Sequence, residues 1–405
     1  MLSLRRIVVV AALCGTVSLA LVPGARADSS PVNQQWVLDM MNVPAAWQQN
    51  QGAGVTVAVI DSGVDPNVSD LTGSVITGPN LSGVSTRPSN PNWGQHGTWM
   101  ASLIAGHGDD GVSGIIGIAP QSKILSIRVI PDQTDPHYST YEHQQESAIQ
   151  RSLAEGIDYA VQHGAKVISM SIGYGAPSTA VSQALLNAFA HGVVVIASAG
   201  NSGAPSDGTS DNQAPFSFPA NYPGVISVAA VDENGNVAIF SSENLSVRIA
   251  APGVRVPTQG RDGQYWLVSG TSPACALVAG VAALIKSKYP GLAPDLVARA
   301  LITTTTPRPA KGWDSQEGFG IVDAAAALAK AGQLAAGQPP VASIPLAFRF
   351  GGGPSAVPSP PVRPRGSGQL ILFALLAFTS LVLIGAAATR LAILRRTPNL
   401  RRTPT

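Results

Sequence analysis

The sequence predicts an α/β domain built in three layers, a mostly parallel central sheet with helices on both faces. Two observations predict it. Five short β-branched runs are apolar enough to be covered on both faces, as buried parallel strands are. Segments between them repeat apolar residues at three- and four-residue spacing, the period of a helix. Strand–helix alternation of this kind implies crossover connections, which bring neighbouring strands parallel. A separate apolar run near the C-terminus adds one transmembrane helix to the expectation.

Taken in order, residues 1–27 read as a secretory signal. Arg5 and Arg6 precede an apolar run from Ile7 to Val22, and Ala25-Arg26-Ala27 supplies a small-residue cleavage site. An uncleaved anchor is the competing reading. Residues 28–54 form an N-terminal extension. The domain proper spans 55–332, long enough for a single core. Its strand candidates are Val55–Ile60, Ile124–Val129, Val167–Ile172, Val193–Ala197 and Val225–Ala230. Gln150–Gln162 and Ser182–Ala190 carry the helical spacing, and a helix of small apolar residues runs from Ser272 to about Lys288.

Residues 333–369 are rich in Pro and Gly and read as a semi-extended spacer. Residues 370–389 carry no formal charge and are long enough to cross a bilayer as a helix. The tail, 390–405, holds Arg390, Arg395, Arg396, Arg401 and Arg402. Arginines kept on the cytoplasmic side would leave the large domain outside the cell membrane, held by a single pass. A net charge of +2 gives no reason to invoke nucleic acid. Loss of Cys14 with the signal leaves Cys275 alone, so no intrachain disulfide can form. One turn beyond Ser272, Cys275 reads as a small buried hydrophobe.

In sheets of this type, reactive residues gather outside the carboxyl ends of the strands. Asp61 ends the first strand abruptly, where an unpaired carboxylate is costly to bury. His96 lies between Gln95 and Gly97 at a helix entrance. Ser272 lies between Thr271 and Pro273, and a proline is at ease in a first helical turn. Taken singly, Asp61 reads as a turn former, His96 as structural and Ser272 as an ordinary N-cap. Together they supply a nucleophile, a base for its proton and an acid to orient the base. The order Asp, His, Ser is a recognised one for such triads. Asn201 ends "VVVIASAGN", where its amide could bind a developing oxyanion with the Ser272 N–H. Its competing reading is a turn residue before Gly203.

These stretches resemble the subtilisin-like serine proteases: "AVIDSGVD" at Asp61, "HGTWMASLIAG" at His96, "ASAGN" at Asn201 and "SGTSPACALVAG" at Ser272. "GIAP", "VISMSIG", "FPANYPGVISVAAVD" and "GFGIVDAAAAL" support them, so the resemblance runs from about Trp36 to Ala331. It implies a subtilisin-like fold and hydrolysis of protein or peptide substrates through an acyl-enzyme. Ser272 would attack, His96 would move the proton, Asp61 would orient His96, and Asn201 would bind the oxyanion. Ser171, Ile172 and Gly173 would pair with substrate backbone and flank the first specificity pocket. No cofactor and no catalytic metal are required. Asp70 matches a position that can bind a structural calcium, without a complete ligand set in view.

Among these proteases, the N-terminal "QQWVLDMMNVPAAWQQNQGAGVTVAVIDSGVD", the stalk, the membrane helix and the basic tail resemble the mycosins of type VII secretion. That implies processing of exported proteins beside the secretion machinery. The chain departs from the family at several points. Trp99, Met100 and Ser102 stand where His, Val and Gly are common, which would reshape the cleft beside His96. Pro273, Ala276 and Leu277 replace a usual Met and a Pro-His pair. The disulfides usual in mycobacterial mycosins are missing, and 28–54 is too short for a folded pro-domain. The alternative function is a protease-like scaffold that stabilises a secretion complex with little or no hydrolysis. A serine esterase with a nucleophile elbow is a weaker third reading, since Gly270 is present but residue 274 is alanine where that motif needs glycine.

Overall fold

A computed structural model describes residues 34–109, 113–144, 146–204 and 214–337. The expected signal at 1–27, the expected transmembrane segment at 370–389, the tail and nearly all of the expected spacer lie outside them. Among the described residues, no helix is long and apolar enough to cross a membrane.

Seven parallel strands form the central sheet, in the order β2-β5-β1-β6-β7-β8-β9. They are β1 Thr56–Asp61, β2 Val75–Asn80, β5 Lys123–Arg128, β6 Val167–Met170, β7 Val194–Ser198, β8 Ile226–Val231 and β9 Val247–Pro252. Two antiparallel pairs stand apart, β3 His107–Asp109 with β4 Ser113–Ile116, and β10 Val256–Gln259 with β11 Tyr265–Val268. The five strands expected from sequence are all present within a residue or two of their expected ends. The edge strands β2 and β9 are additions. β2 is half-exposed and carries Gly78 and Pro79, so it lacks the continuous apolar run that marks a buried strand.

Period-two alternation along β1 sorts its side chains into two cores. Val57 and Val59 face one, Ala58 and Ile60 the other. The Ile60 side is closed by α5 (Glu146–Gln162) and α6 (Thr179–Ala190), through Leu153, Ile157, Val181 and Leu185. The Val59 side is closed by α3 (Gln95–Ala105), α7 (Thr271–Lys288), α8 (Pro294–Thr303) and α9 (Ala324–Ala336). The short α4, Tyr138–Glu142, has no buried residue. Three layers therefore follow from the strand alternation, as expected.

Residues 34–54, set apart at sequence level as an extension, pack against this body. They form α1 (Gln35–Met40) and α2 (Val43–Trp47), and Val37, Met41, Val43 and Ala46 are fully buried in the Val59-side core. Asn42, left-handed between the two helices, bonds the Asp323 carboxylate, which in turn caps α9 through Ala326 N–H at 2.8 Å. A tight turn and two short helices give too little period for the sequence pattern to register.

α7 is the most deeply placed helix. Every residue from Thr271 to Lys286 is buried, and it crosses β6, β7, β8 and β9. Its small residues are what permit this. A methyl group at Gly280 would lie 2.5 Å from the Ile118 side chain, so only glycine lets that pair close.

Candidate active site

The strand order reverses around β1. The chain leaves β1 for β2 and β5 on one side, then returns to lay β6 to β9 on the other. A crevice opens outside the carboxyl ends of the strands at such a reversal, and the expected residues sit around it. Asp61 is the last residue of β1, Ser171 follows β6, and Asn201 lies three residues beyond β7. His96 and Ser272 are each the second residue of a helix, α3 and α7.

Asp61 and His96 meet directly. Their Oδ1 and Nδ1 atoms are 2.8 Å apart, with Asp61 almost wholly buried and His96 only 8% exposed. The same Oδ1 accepts the Ser62 N–H at 2.7 Å. Burial works against the imidazolium. The charge and hydrogen bond of Asp61 outweigh it, with a smaller push from Asp132, and hold the His96 pKa above its ordinary value. A carboxylate on Nδ1 presents Nε2 as the free nitrogen, which is the tautomer a general base needs. Trp99 sets its edge against the imidazole, with centroids 6.1 Å apart, and packs on Trp266. The unusual Trp99 thus walls the cleft beside His96. Ser102 braces that wall, donating to the Trp99 carbonyl and accepting the Gln259 N–H.

Ser272 is held from two sides. Its carbonyl accepts the Ser171 hydroxyl at 3.1 Å, and Pro273 occupies the first turn of α7 without needing a donor. Its place at the helix start exposes it to free amides and the positive end of the helix dipole.

Asn201 has a fixed orientation. Its amide oxygen accepts both the N–H and the hydroxyl of Thr271, each at 2.9 Å, and the Thr271 hydroxyl in turn accepts the Gly200 N–H. Turning the amide over would set NH₂ against two donors. Nδ2 is therefore directed towards Gly270, 3.5 Å from where a β-carbon there would lie. Thr271 lay inside the nucleophile stretch but drew no role from sequence. Its position beside Ser272 gave no sign of a partner seventy residues away.

Ser171 and Ile172 are buried, and Ile172 packs in the core on the α5–α6 side. The Ser171 hydroxyl is committed to Ser272, so this segment has backbone rather than side chains to offer a peptide. A β-carbon on Gly173 would lie 2.2 Å from Ser217 Oγ, so a larger residue there would have to turn that hydroxyl aside. Cys275 is fully buried and its thiol is pushed up to about 11 by burial, so it is neutral in the helix.

Asp70 is also fully buried. One carboxylate oxygen accepts the Ile115 N–H at 2.6 Å, and the other takes the Ser69 and Tyr265 hydroxyls at 3.3 Å each. Burial raises its pKa against the pull of these bonds. Its surroundings are donors, whereas calcium requires several further oxygen lone pairs. Gln34 spends its amide on both backbone groups of Ile116. Among the described residues, no cluster of three or more His, Cys, Asp or Glu could hold a metal. The residues around Asp70 do not fit a calcium site.

Comparison with known proteins identifies the family. The Subtilase family model matches residues 52–320. Subtilisin DY of Bacillus licheniformis is 37% identical over 259 residues, 64% of this chain and 86% of that one. The crystal structure of MycP1 from the ESX-1 type VII secretion system aligns with a TM-score of 0.61 at 27% identity, covering 76% of this chain and 91% of that one. MycP1 from Mycobacterium smegmatis aligns with the same TM-score at 26% identity, covering 84% and 95%. The chain belongs to the subtilase family and is a subtilisin-like serine endopeptidase.

Proposed function

We propose that Asp61, His96 and Ser272 form the catalytic triad of this endopeptidase, with Asn201 as the oxyanion donor. The observation that carries the reading is the 2.8 Å bond between Asp61 and His96 at the reversal point of the sheet. In this reading Ser272 Oγ attacks the scissile carbonyl and passes its proton to His96 Nε2. The resulting oxyanion is held by Asn201 Nδ2 and the Ser272 N–H. The C–N bond then breaks, and the leaving amine takes the proton from His96. Water, activated by the same imidazole, hydrolyses the acyl-enzyme and restores Ser272. The backbone of Ser171, Ile172 and Gly173 receives the substrate as an extended strand.

The finer role is processing of exported proteins at the cell membrane, in a type VII secretion system. Its support is the likeness to MycP1 of such a system, together with the apolar run at 370–389 and the arginines after it. An anchor there places the enzyme outside the membrane and its tail inside. The test compares secretion in cells carrying Ser272→Ala with cells lacking the protein. Equal defects support processing as the role. Normal secretion with Ser272→Ala but not in the deletion would make the protein a scaffold instead.

A further inference from the structure

The first amides of α3, the helix that carries His96, lack a local cap. The N-cap residue is Gly94, with φ 75° and no side chain. Their partner comes from the segment after β5. Asp132 Oδ2 accepts the Gln95 N–H at 3.0 Å and Oδ1 accepts the His96 N–H at 2.9 Å. The Ser62 hydroxyl also hydrogen-bonds Asp132, while its oxygen accepts the Gly97 N–H at 3.1 Å. Three successive amides of the helix start are thereby tied to one carboxylate and to the residue after Asp61.

The same segment grips the other side. Arg128, at the end of β5 and fully buried, donates to the Ser62 carbonyl at 2.7 Å. It also pairs with Asp135 at 2.7 Å, and the Asp135 N–H bonds the Asp132 carbonyl. A closed ring results: Ser62, Arg128, Asp135, Asp132, and back to Ser62. It holds the end of β1 and the start of α3 together from behind the crevice.

We infer that Asp132 is a positioning residue for catalysis, acting through His96 by clamping the start of α3 to the loop after Asp61. It touches no reacting atom. Its carboxylate fixes where the imidazole lies relative to Asp61, and its charge favours the imidazolium. The charged or titratable groups around this pair are Asp61 from β1, Arg128 and Asp135 from the clamp, and Cys275 from α7, which is neutral. The inference rests on the triad reading.

The test measures the rate of fluorophosphonate labelling against pH, on the full chain, for wild type and Asp132→Asn, with thermal melting in parallel. The variant keeps its size and loses the charge and one acceptor. Labelling is expected to fall by roughly ten- to a hundred-fold, the cost of small misplacement of a catalytic group. The acid limb of the profile is expected to move to lower pH, which lost stability alone would not produce. Wild-type rate and limb in a folded Asp132→Asn protein would overturn the inference. If that variant does not fold, Ser62→Ala removes only the bridging hydroxyl, and the wild-type rate in it would likewise overturn the clamp. Wild-type protein that takes no label would sink the triad reading, and the clamp with it.

Discussion

The amide oxygen of Asn201 is bound twice by Thr271, through its N–H and its hydroxyl, each at 2.9 Å. One residue thus adjoins the nucleophile and aims the oxyanion donor, so the two are set by the same turn. Asn201→Ala is expected to lower kcat by about a hundred- to a thousand-fold with little change in KM. Thr271→Val, which keeps shape and removes the hydroxyl, should give a smaller loss in the same direction. Steady-state kinetics on a peptide substrate separate the two parameters.

His96 is held above its ordinary pKa because Asp61, aided by Asp132, overcomes the effect of burial. The base form is the active one, so kcat/KM should rise through a midpoint above about 6.5, the ordinary imidazole value. Asp61→Asn removes the carboxylate charge and sets an amide N–H against Nδ1, which favours the wrong tautomer of His96, and should cost about 10⁴-fold in kcat. A pH–rate profile with its acid limb below the ordinary value would contradict the assignment.

Arg128 and Asp135 form an ion pair away from solvent, at 1% and 4% exposure. Despite its burial, Asp135 has a pKa below the usual carboxylate range, through Thr86, the His137 N–H and Arg128. Arg128→Met should destabilise the fold by about 3–5 kcal/mol, since it strands a buried carboxylate. Denaturant unfolding measures this directly. The loss should exceed that of any exposed arginine, such as Arg151.

Lys286 lies near the end of α7 and donates to the Pro290 and Leu292 carbonyls at 2.8 and 2.9 Å. Burial pushes its pKa down to about 8. The unfolded chain then binds more protons than the folded one between about pH 8 and 10.5, so stability gains with pH across that window. Below pH 8 both states are protonated and the contribution is flat. Unfolding free energies of wild type and Lys286→Met, compared from pH 7 to 10, should diverge in favour of wild type.

Much of this was legible in the chain itself. Largely apolar runs marked the buried strands, and an acid at a strand end with a histidine and a serine at helix starts marked the candidate site. What escaped was whatever depends on distant partners. Asp132 follows a proline in an unremarkable polar stretch, and nothing local says that it caps a helix 36 residues earlier. Thr271 bonds Asn201 across seventy residues of chain. Asp70 matched a cation position by sequence, but its ring of donors belongs to Ser69, Ile115 and Tyr265, from three separate segments. Helices α1 and α2 were too short to show a period, although their side chains complete the core.

The central claim is that Ser272 is the nucleophile made reactive by His96. Its most direct test treats the full chain with a fluorophosphonate probe and maps the modified residue by mass spectrometry. Label is expected on Ser272 alone, absent in Ser272→Ala and strongly reduced in His96→Ala. A folded protein that takes no label, or takes it equally in Ser272→Ala, would contradict the account.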